Sequence, residues 1–182
     1  LQNNDAIARL EQALTLLDEH PSTPQTDRLK LLALINVGIS HYYQSEFDAA
    51  STYWQQARTL ADESNDLFNS LSVRVNLAAL YQTTGEWSQA KATYRDATER
   101  ADRLGKVREQ ARLQANFGIL YLNEGDFQQA AEKLTLALML AMEHDIVALK
   151  VLSLTYLGKL YLEKKTYQIA QEHLTRSHEL AA

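Results

Sequence analysis

Residues 118–137, GILYLNEGDFQQAAEKLTLA, contain the pattern that decides the fold. The small residue Gly118 is followed nine positions later by an aromatic ring, Phe127, and three positions after that by Ala130. The pattern occurs four times at a fixed spacing of 40 residues, with its small residues at Gly38, Ala78, Gly118 and Gly158. Such self-similarity is typical of stacked-repeat proteins, in which each unit buries its apolar face against its neighbours.

Each repeat is predicted to contain two helices, A and B. Apolar residues recur with a period near 3.6, and good helix formers dominate the composition. Two breaks interrupt the pattern, where glycine can adopt the left-handed conformation that ends a helix and the next residue can cap the following one. The mid-repeat breaks are Ser45 with Glu46, Gly85 with Glu86, Gly125 with Asp126 and Lys165 with Thr166. The closing breaks are Asn65 with Asp66, Gly105 with Lys106 and His144 with Asp145.

These breaks predict the helix boundaries and one domain over residues 1–182. The A helices are expected near 27–44, 66–84, 106–124 and 146–164, and the B helices near 47–64, 87–104, 127–143 and 167–181. The same breaks predict a leading helix at 4–19 and four repeats, at 27–65, 66–105, 106–145 and 146–182. Because Ala170 and Leu174 have no following helix to cover them, we expect a fragment of a longer protein that self-associates weakly end to end.

Composition and charge exclude several classes of protein. The absence of cysteine excludes a disulfide framework and fits a reducing compartment, so we expect a cytoplasmic location. The longest apolar run stops at Glu143 and is too short to span a bilayer, so no membrane is expected as a partner. The net charge is -5 and no predicted helix carries a basic face, so nucleic acid is not expected either.

Catalytic motifs are also absent from the sequence. The histidines are dispersed, and there is no HExxH, no GxSxG and no phosphate-cradling glycine loop. His41 stands where the other repeats have tyrosine, which favours a packed side chain over a ligand. We therefore expect no enzymatic activity, no metal and no cofactor.

The repeat resembles the tetratricopeptide family, whose signature is bulky-x2-L-G-x2-Y followed by A-x3-F. In the third unit the matching positions are Phe117, Gly118, Tyr121, Ala130 and Leu134. The resemblance covers nearly the whole chain and implies an all-α fold, a right-handed α-α superhelix. HEAT and armadillo repeats have a similar period, but their motifs lack this combination.

Two departures from the common signature stand out. The common unit has about 34 residues and closes with proline, whereas the matching positions here are Asp62, Asp102 and Met142. The longer unit is similar to those of Pins-type adaptors, kinesin light chains and bacterial signalling regulators. The bulky residue expected four positions before the small one is also degenerate, being Leu34, Arg74, Gln114 and Leu154.

In the family the A helices line a concave groove, so the resemblance places a ligand there. At 100° per residue, Asn36 lies opposite the side of its helix that faces the B partner. The expected groove residues are Asn36, Asn76, Asn116, Tyr43, Ser72, Arg112, Asn123, Tyr156 and Lys159. Asparagines at one site of successive repeats can pair with the main chain of an extended peptide. Alternatively, each bonds a neighbouring repeat or water, or the recurrence is inherited from duplication.

The sequence therefore predicts a non-catalytic scaffold module that binds a protein or an extended peptide. The alternative is a ligand- or peptide-sensing arm of a multidomain bacterial signalling or transcription regulator.

Overall fold

The structure, a computed structural model, describes residues 2–181, which form nine α-helices. They are α1 (Gln2–Asp18), α2 (Pro24–Tyr43), α3 (Phe47–Glu63), α4 (Leu67–Thr83), α5 (Trp87–Arg103), α6 (Val107–Glu124), α7 (Phe127–Glu143), α8 (Val147–Glu163) and α9 (Tyr167–Ala181). The all-α prediction is confirmed, and helices α2 to α9 are the predicted A and B helices in order. Leu1 and Ala182, the ends of the predicted domain, lie outside the described residues, as do the side chains of 2–4.

The predicted breaks separate the helices through left-handed residues. Glycine supplies the positive φ at Gly85, Gly105 and Gly125, as expected. Four other breaks use residues with a side chain, namely Ser45 (φ 61°), Asn65 (φ 55°), Asp145 (φ 51°) and Lys165 (φ 57°). Asparagine and aspartate tolerate this conformation, whereas serine and lysine adopt it at a cost.

The predicted caps are correct at Asp66 and Asp126 and wrong at Glu46, Lys106 and Asp145. Asp66 and Asp126 accept hydrogen bonds from the backbone N–H groups of Asn69 (3.1 Å) and Gln129 (3.0 Å). Glu46 makes no side-chain cap, because its carboxylate pairs with His41 instead.

Helix α2 begins at Pro24, three residues earlier than predicted. Thr23 and Thr26 exchange hydrogen bonds in a capping box, with Thr26 N donating to Thr23 Oγ1 over 3.1 Å and Thr23 N donating to Thr26 Oγ1 over 2.8 Å. Pro24 follows the cap at the first helical position, where its missing N–H removes no helical hydrogen bond.

The chain divides into two compact units, Leu1–Thr93 and Tyr94–Ala182. In the first unit α2 packs on α3, where a Cβ added to Gly38 would overlap the indole ring of Trp54. The indole Nε1 donates a hydrogen bond to the Ile35 carbonyl over 3.1 Å. The small residue of the repeat therefore permits close approach of helix A to helix B, as predicted.

The second unit packs in the same way. A Cβ at Gly118 would lie 2.6 Å from Leu134 Cγ, and a Cβ at Gly158 would lie 2.6 Å from Leu174 Cγ. Both crossings are A helix on B helix, α6 on α7 and α8 on α9. Among residues 2–181, none of the helices combines the length and the apolar character needed to cross a lipid bilayer.

The two departures from the family signature, at the bulky position and at the closing position, form an ion pair in the first unit. Arg74, at the bulky position of α4, is buried, with a side chain that is 4% exposed. Its guanidinium donates to both carboxylate oxygens of Asp62, over 2.7 and 3.1 Å, and Ser70 Oγ donates to the same carboxylate over 2.8 Å. Asp62 occupies the position of the closing proline. The Asp62–Arg74 ion pair therefore links α3 to α4 where the family signature has a proline.

Candidate ligand-binding surfaces

In the first unit the predicted groove residues are exposed on α2 and half-buried on α4. Tyr43 is 77% exposed, and Asn36 is also exposed. Asn36 Nδ2 donates to the Leu32 carbonyl over 2.9 Å, so its amide pairs within its own helix rather than with a neighbouring repeat. Ser72 and Asn76 are half-buried, and Ser72 Oγ donates to the Phe68 carbonyl over 3.2 Å.

In the second unit three predicted residues line one groove. Asn123 of α6 lies across from Tyr156 and Lys159 of α8, in an open cleft of about 610 Å³ that we call the α6–α8 groove. Apolar side chains complete much of its wall: Ile119, Leu122, Phe127 and Leu162. Arg112 and Asn116, both half-buried on α6, are not among the described lining residues.

The α6–α8 groove carries charge of both signs. Lys159 Nζ lies 4.6 Å from the centroid of the Tyr156 ring, which is cation–π distance. Glu124 and Glu163 belong to the same lining. The groove therefore offers an aromatic and aliphatic floor with one cation and two carboxylates around it, rather than a uniformly basic surface.

His41 packs as the sequence predicts. The ring is stacked on Tyr53, with centroids 5.4 Å apart, and its Nδ1 pairs with Glu46 Oε2 over 2.5 Å. Burial raises the pKa of Tyr53 to about 12, with help from Glu11, which accepts a hydrogen bond from the Tyr53 hydroxyl over 2.7 Å. These contacts form a packed layer between α1, α2 and α3.

His173 lies in a comparable layer of the second unit. Burial holds the pKa of His173 below its usual value, with a further contribution from the nearby charge of Arg176. The part of the chain that the structure describes contains no group of three or more His, Cys, Asp or Glu side chains placed to hold a metal ion.

Comparison with protein families identifies the repeat. Residues 29–103 match the model of the tetratricopeptide repeat family. This part of the chain is similar to tetratricopeptide repeats. Tetratricopeptide repeats are generally protein-binding modules and are typically non-catalytic. No curated protein matches this chain in sequence.

Solved structures share the fold of this chain. A putative kinesin light chain with TPR-like repeats from Podosopora anserina is 16% identical with a TM-score of 0.79, over 98% of this chain and 86% of that one. The apo form of RapI is 18% identical with a TM-score of 0.85, over 99% of this chain and 49% of RapI. A STAND protein with a tetratricopeptide repeat sensor from Pyrococcus horikoshii is 19% identical with a TM-score of 0.78, over 94% of this chain and 26% of that one.

Proposed function

We propose that this chain binds a peptide segment of a partner protein in the α6–α8 groove. The observation that carries the proposal is that Asn123, Tyr156 and Lys159 line one groove together with apolar side chains. A cleft with an apolar floor and a few polar groups is the usual form of a binding site. The proposal assigns the chain no catalytic role, no metal, no cofactor and no direct contact with nucleic acid or membrane, and places it in the cytoplasm.

The lining suggests what the peptide carries. Ile119, Phe127 and Leu162 provide contact for an apolar side chain, and the Tyr156 ring provides a flat surface beside them. The Asn123 amide has both donors and an acceptor for main-chain groups of an extended peptide. Lys159 favours a carboxylate, whereas Glu124 and Glu163 oppose a second one. We therefore expect a segment with one apolar anchor and one acidic group.

Selection and mutagenesis test this proposal together. Peptides are selected from a phage-displayed library on the immobilised chain, then synthesised and measured by fluorescence polarisation. Lys159→Glu and Tyr156→Ala should each weaken binding at least tenfold. Arg103→Glu is the matched control, since Arg103 is a highly exposed cation on α5 outside the groove lining, and it should stay within twofold. Equal binding to Lys159→Glu and the control would refute the groove.

The second candidate function is the sensing arm of a multidomain regulator. It is favoured by the fold shared with a STAND protein that has a tetratricopeptide repeat sensor, of which this chain spans 26%. The coding sequence around residues 1–182 tests it. An ATPase, kinase, cyclase or helix-turn-helix domain in the same reading frame, with an output that a selected peptide changes, would support the sensor over the scaffold.

A further inference from the structure

A recess in the second unit is lined by three helices and is separate from the α6–α8 groove. This α7–α9 recess has a volume of about 270 Å³ and apolar walls from Leu138 and Met142 of α7, Leu154 of α8 and Leu180 of α9. Lys150 of α8 and Arg176 of α9 add two cations. None of these residues lines the α6–α8 groove.

Lys150 brings a largely buried side chain with a positive charge at its end to this recess. Its side chain is only 15% exposed, and its Nζ pairs with one carboxylate oxygen of Asp145. Asp145 itself is 86% exposed and is not part of the recess lining. An ammonium has three donors, so this bond with Asp145 uses one of them. The Asp145 carboxylate can return to water at little cost, since exposed ion pairs contribute little to stability.

The corresponding junction in the first unit contains a carboxylate. Met142, Lys150 and Leu154 stand 80 positions after Asp62, Ser70 and Arg74. At the first-unit junction, the Asp62 carboxylate accepts hydrogen bonds from Ser70 Oγ (2.8 Å) and from the buried Arg74 guanidinium (2.7 Å). At this junction the acceptor is the Asp62 carboxylate, and the donors are the side chains of Ser70 and Arg74.

In the second unit the same three positions are changed together. Methionine replaces the carboxylate, lysine replaces the serine donor, and leucine replaces the arginine. The junction therefore retains a cation at position 150, has no carboxylate at the position of Asp62 and gains an apolar recess. Two cations, Lys150 and Arg176, and one carboxylate, Glu179, line the recess, so its charge favours an anion with an apolar body.

We propose that the α7–α9 recess binds a small aliphatic carboxylate, with its oxygens on Lys150 and its chain among Leu138, Met142, Leu154 and Leu180. This site goes beyond the proposed peptide groove and does not depend on it. A peptide is the poorer occupant, because among the lining side chains only Glu179 is a strong hydrogen-bond acceptor for main-chain N–H groups.

The two methionines of the chain provide a direct measurement. They are Met139 and Met142, both on α7. Met142 lines the recess and Met139 lies outside its lining, although the two side chains are similarly exposed, at 52% and 61%. In a chain labelled with ¹³C at the methionine methyl groups, hexanoate should shift the Met142 signal saturably and leave the Met139 signal nearly unchanged. Hexanol and hexylamine, which have the same chain length but lack the carboxylate, should bind at least tenfold more weakly.

A matched pair of variants tests the role of the missing carboxylate. Met142→Asp restores the residue found at position 62, so it should occupy the Lys150 ammonium and abolish hexanoate binding, observed through the amide signals of α8 and α9. Met139→Asp makes the same charge change about one turn earlier and should bind hexanoate like the wild type. Lys150→Gln should weaken hexanoate at least tenfold while leaving hexanol unchanged.

Three results would overturn the proposal. The first is an equal response of both methionine signals to hexanoate and hexanol, which indicates unspecific apolar contact. The second is unchanged hexanoate binding in Met142→Asp. The third is binding of acetyl-glycyl-leucine more tightly than hexanoate, which would assign the recess to the carboxyl terminus of a protein instead. Loss of peptide binding by Lys159→Glu with intact hexanoate binding would separate this site from the α6–α8 groove.

Discussion

His41 lies nearly parallel to Tyr53, with ring centroids 5.4 Å apart and an angle of 6° between the planes. The fourth repeat has the same stacked pair with the two residue types exchanged, since Tyr161 and His173 stand 120 positions later with centroids 5.5 Å apart and an angle of 10°. In these two repeats either residue type therefore fits either position of the stacked pair, whereas the second and third repeats have Thr93 and Lys133 at the second position.

The His173 ring should make folding stability depend on pH. Its pKa in the folded chain lies below the ordinary value, because burial and Arg176 disfavour the charged form. As the pH falls through about 6.5 the unfolded chain takes up a proton first, so stability should decrease from pH 7.5 to pH 5.5. His173→Phe keeps a ring on Tyr161, and its urea midpoint should fall less over this interval. Equal falls in both proteins would contradict the prediction.

Removing one partner of the Asp62–Arg74 pair should lower the free energy of unfolding, whereas replacing both by apolar residues should change it little. Asp62→Ala leaves a buried guanidinium without its carboxylate and should lower the free energy of unfolding by about 1–3 kcal/mol, less than for a fully buried pair because Asp62 is partly exposed. The double variant Asp62→Met with Arg74→Leu copies Met142 and Leu154 and should recover most of this loss. Urea unfolding of the three proteins measures both effects, and an additive double variant would argue against coupling.

The helix crossing at Gly118 should not tolerate a larger side chain. A Cβ there would lie 2.6 Å from Leu134 Cγ and 3.0 Å from the Leu134 backbone nitrogen, so the backbone of α7 must shift to accept it. Gly118→Leu should therefore lower the free energy of unfolding by about 1–3 kcal/mol. Thermal unfolding checks it, and a variant as stable as wild type would mean that the crossing is looser than the structure shows.

Glycine should stabilise the turn at Lys165. This lysine has φ 57°, a conformation that costs a residue with a side chain about 1–2 kcal/mol. Part of the gain is lost to the greater freedom of glycine in the unfolded chain, so Lys165→Gly should raise the free energy of unfolding by about 0.5–1 kcal/mol. The neighbouring Lys164 has φ -75°, and Lys164→Gly is the control that should lower stability. Stabilisation by both would point to lost charge instead.

Asn123 should contribute to ligand binding rather than to stability. It is exposed on α6 and lines the α6–α8 groove, and an ordinary hydrogen bond to a ligand contributes about 0.5–1.5 kcal/mol. Asn123→Ala, measured with a selected peptide, should weaken binding by that amount at nearly constant melting temperature. The opposite outcome, lower stability with unchanged binding, would assign it to packing.

Local patterns in the sequence predict the helices well. The period of 40 residues locates the A and B helices to within about three residues, because Gly85, Gly105 and Gly125 end helices through a conformation that is specific to the local backbone. Pro24 was missed as a helix start, since its cap depends on Thr23 and Thr26 together. The cap expected at Glu46 is absent for a similar reason, because its carboxylate pairs with His41 on the preceding helix.

The surfaces were predictable only in part. Asn36 and Tyr43 are exposed, and the structure brings Asn123, Tyr156 and Lys159 into one groove. The sequence does not show which side chains on α6 and α8 lie close enough to share a cleft. It also treats Asp62 and Arg74 as two separate departures from the signature, although they form one ion pair across the junction of two helices.

The Asp62–Arg74 pair also limits how this chain can be recombined. A repeat array grows by copying and exchanging units, and most positions of the signature are interchangeable between copies. The two partners lie on different helices, α3 and α4, on opposite sides of a junction between repeats. Replacing α3 by a copy of α7 would put Met142 opposite Arg74 and take the Asp62 carboxylate away from a buried positive charge. Exchange of repeats at this junction therefore has to carry Asp62 and Arg74 together.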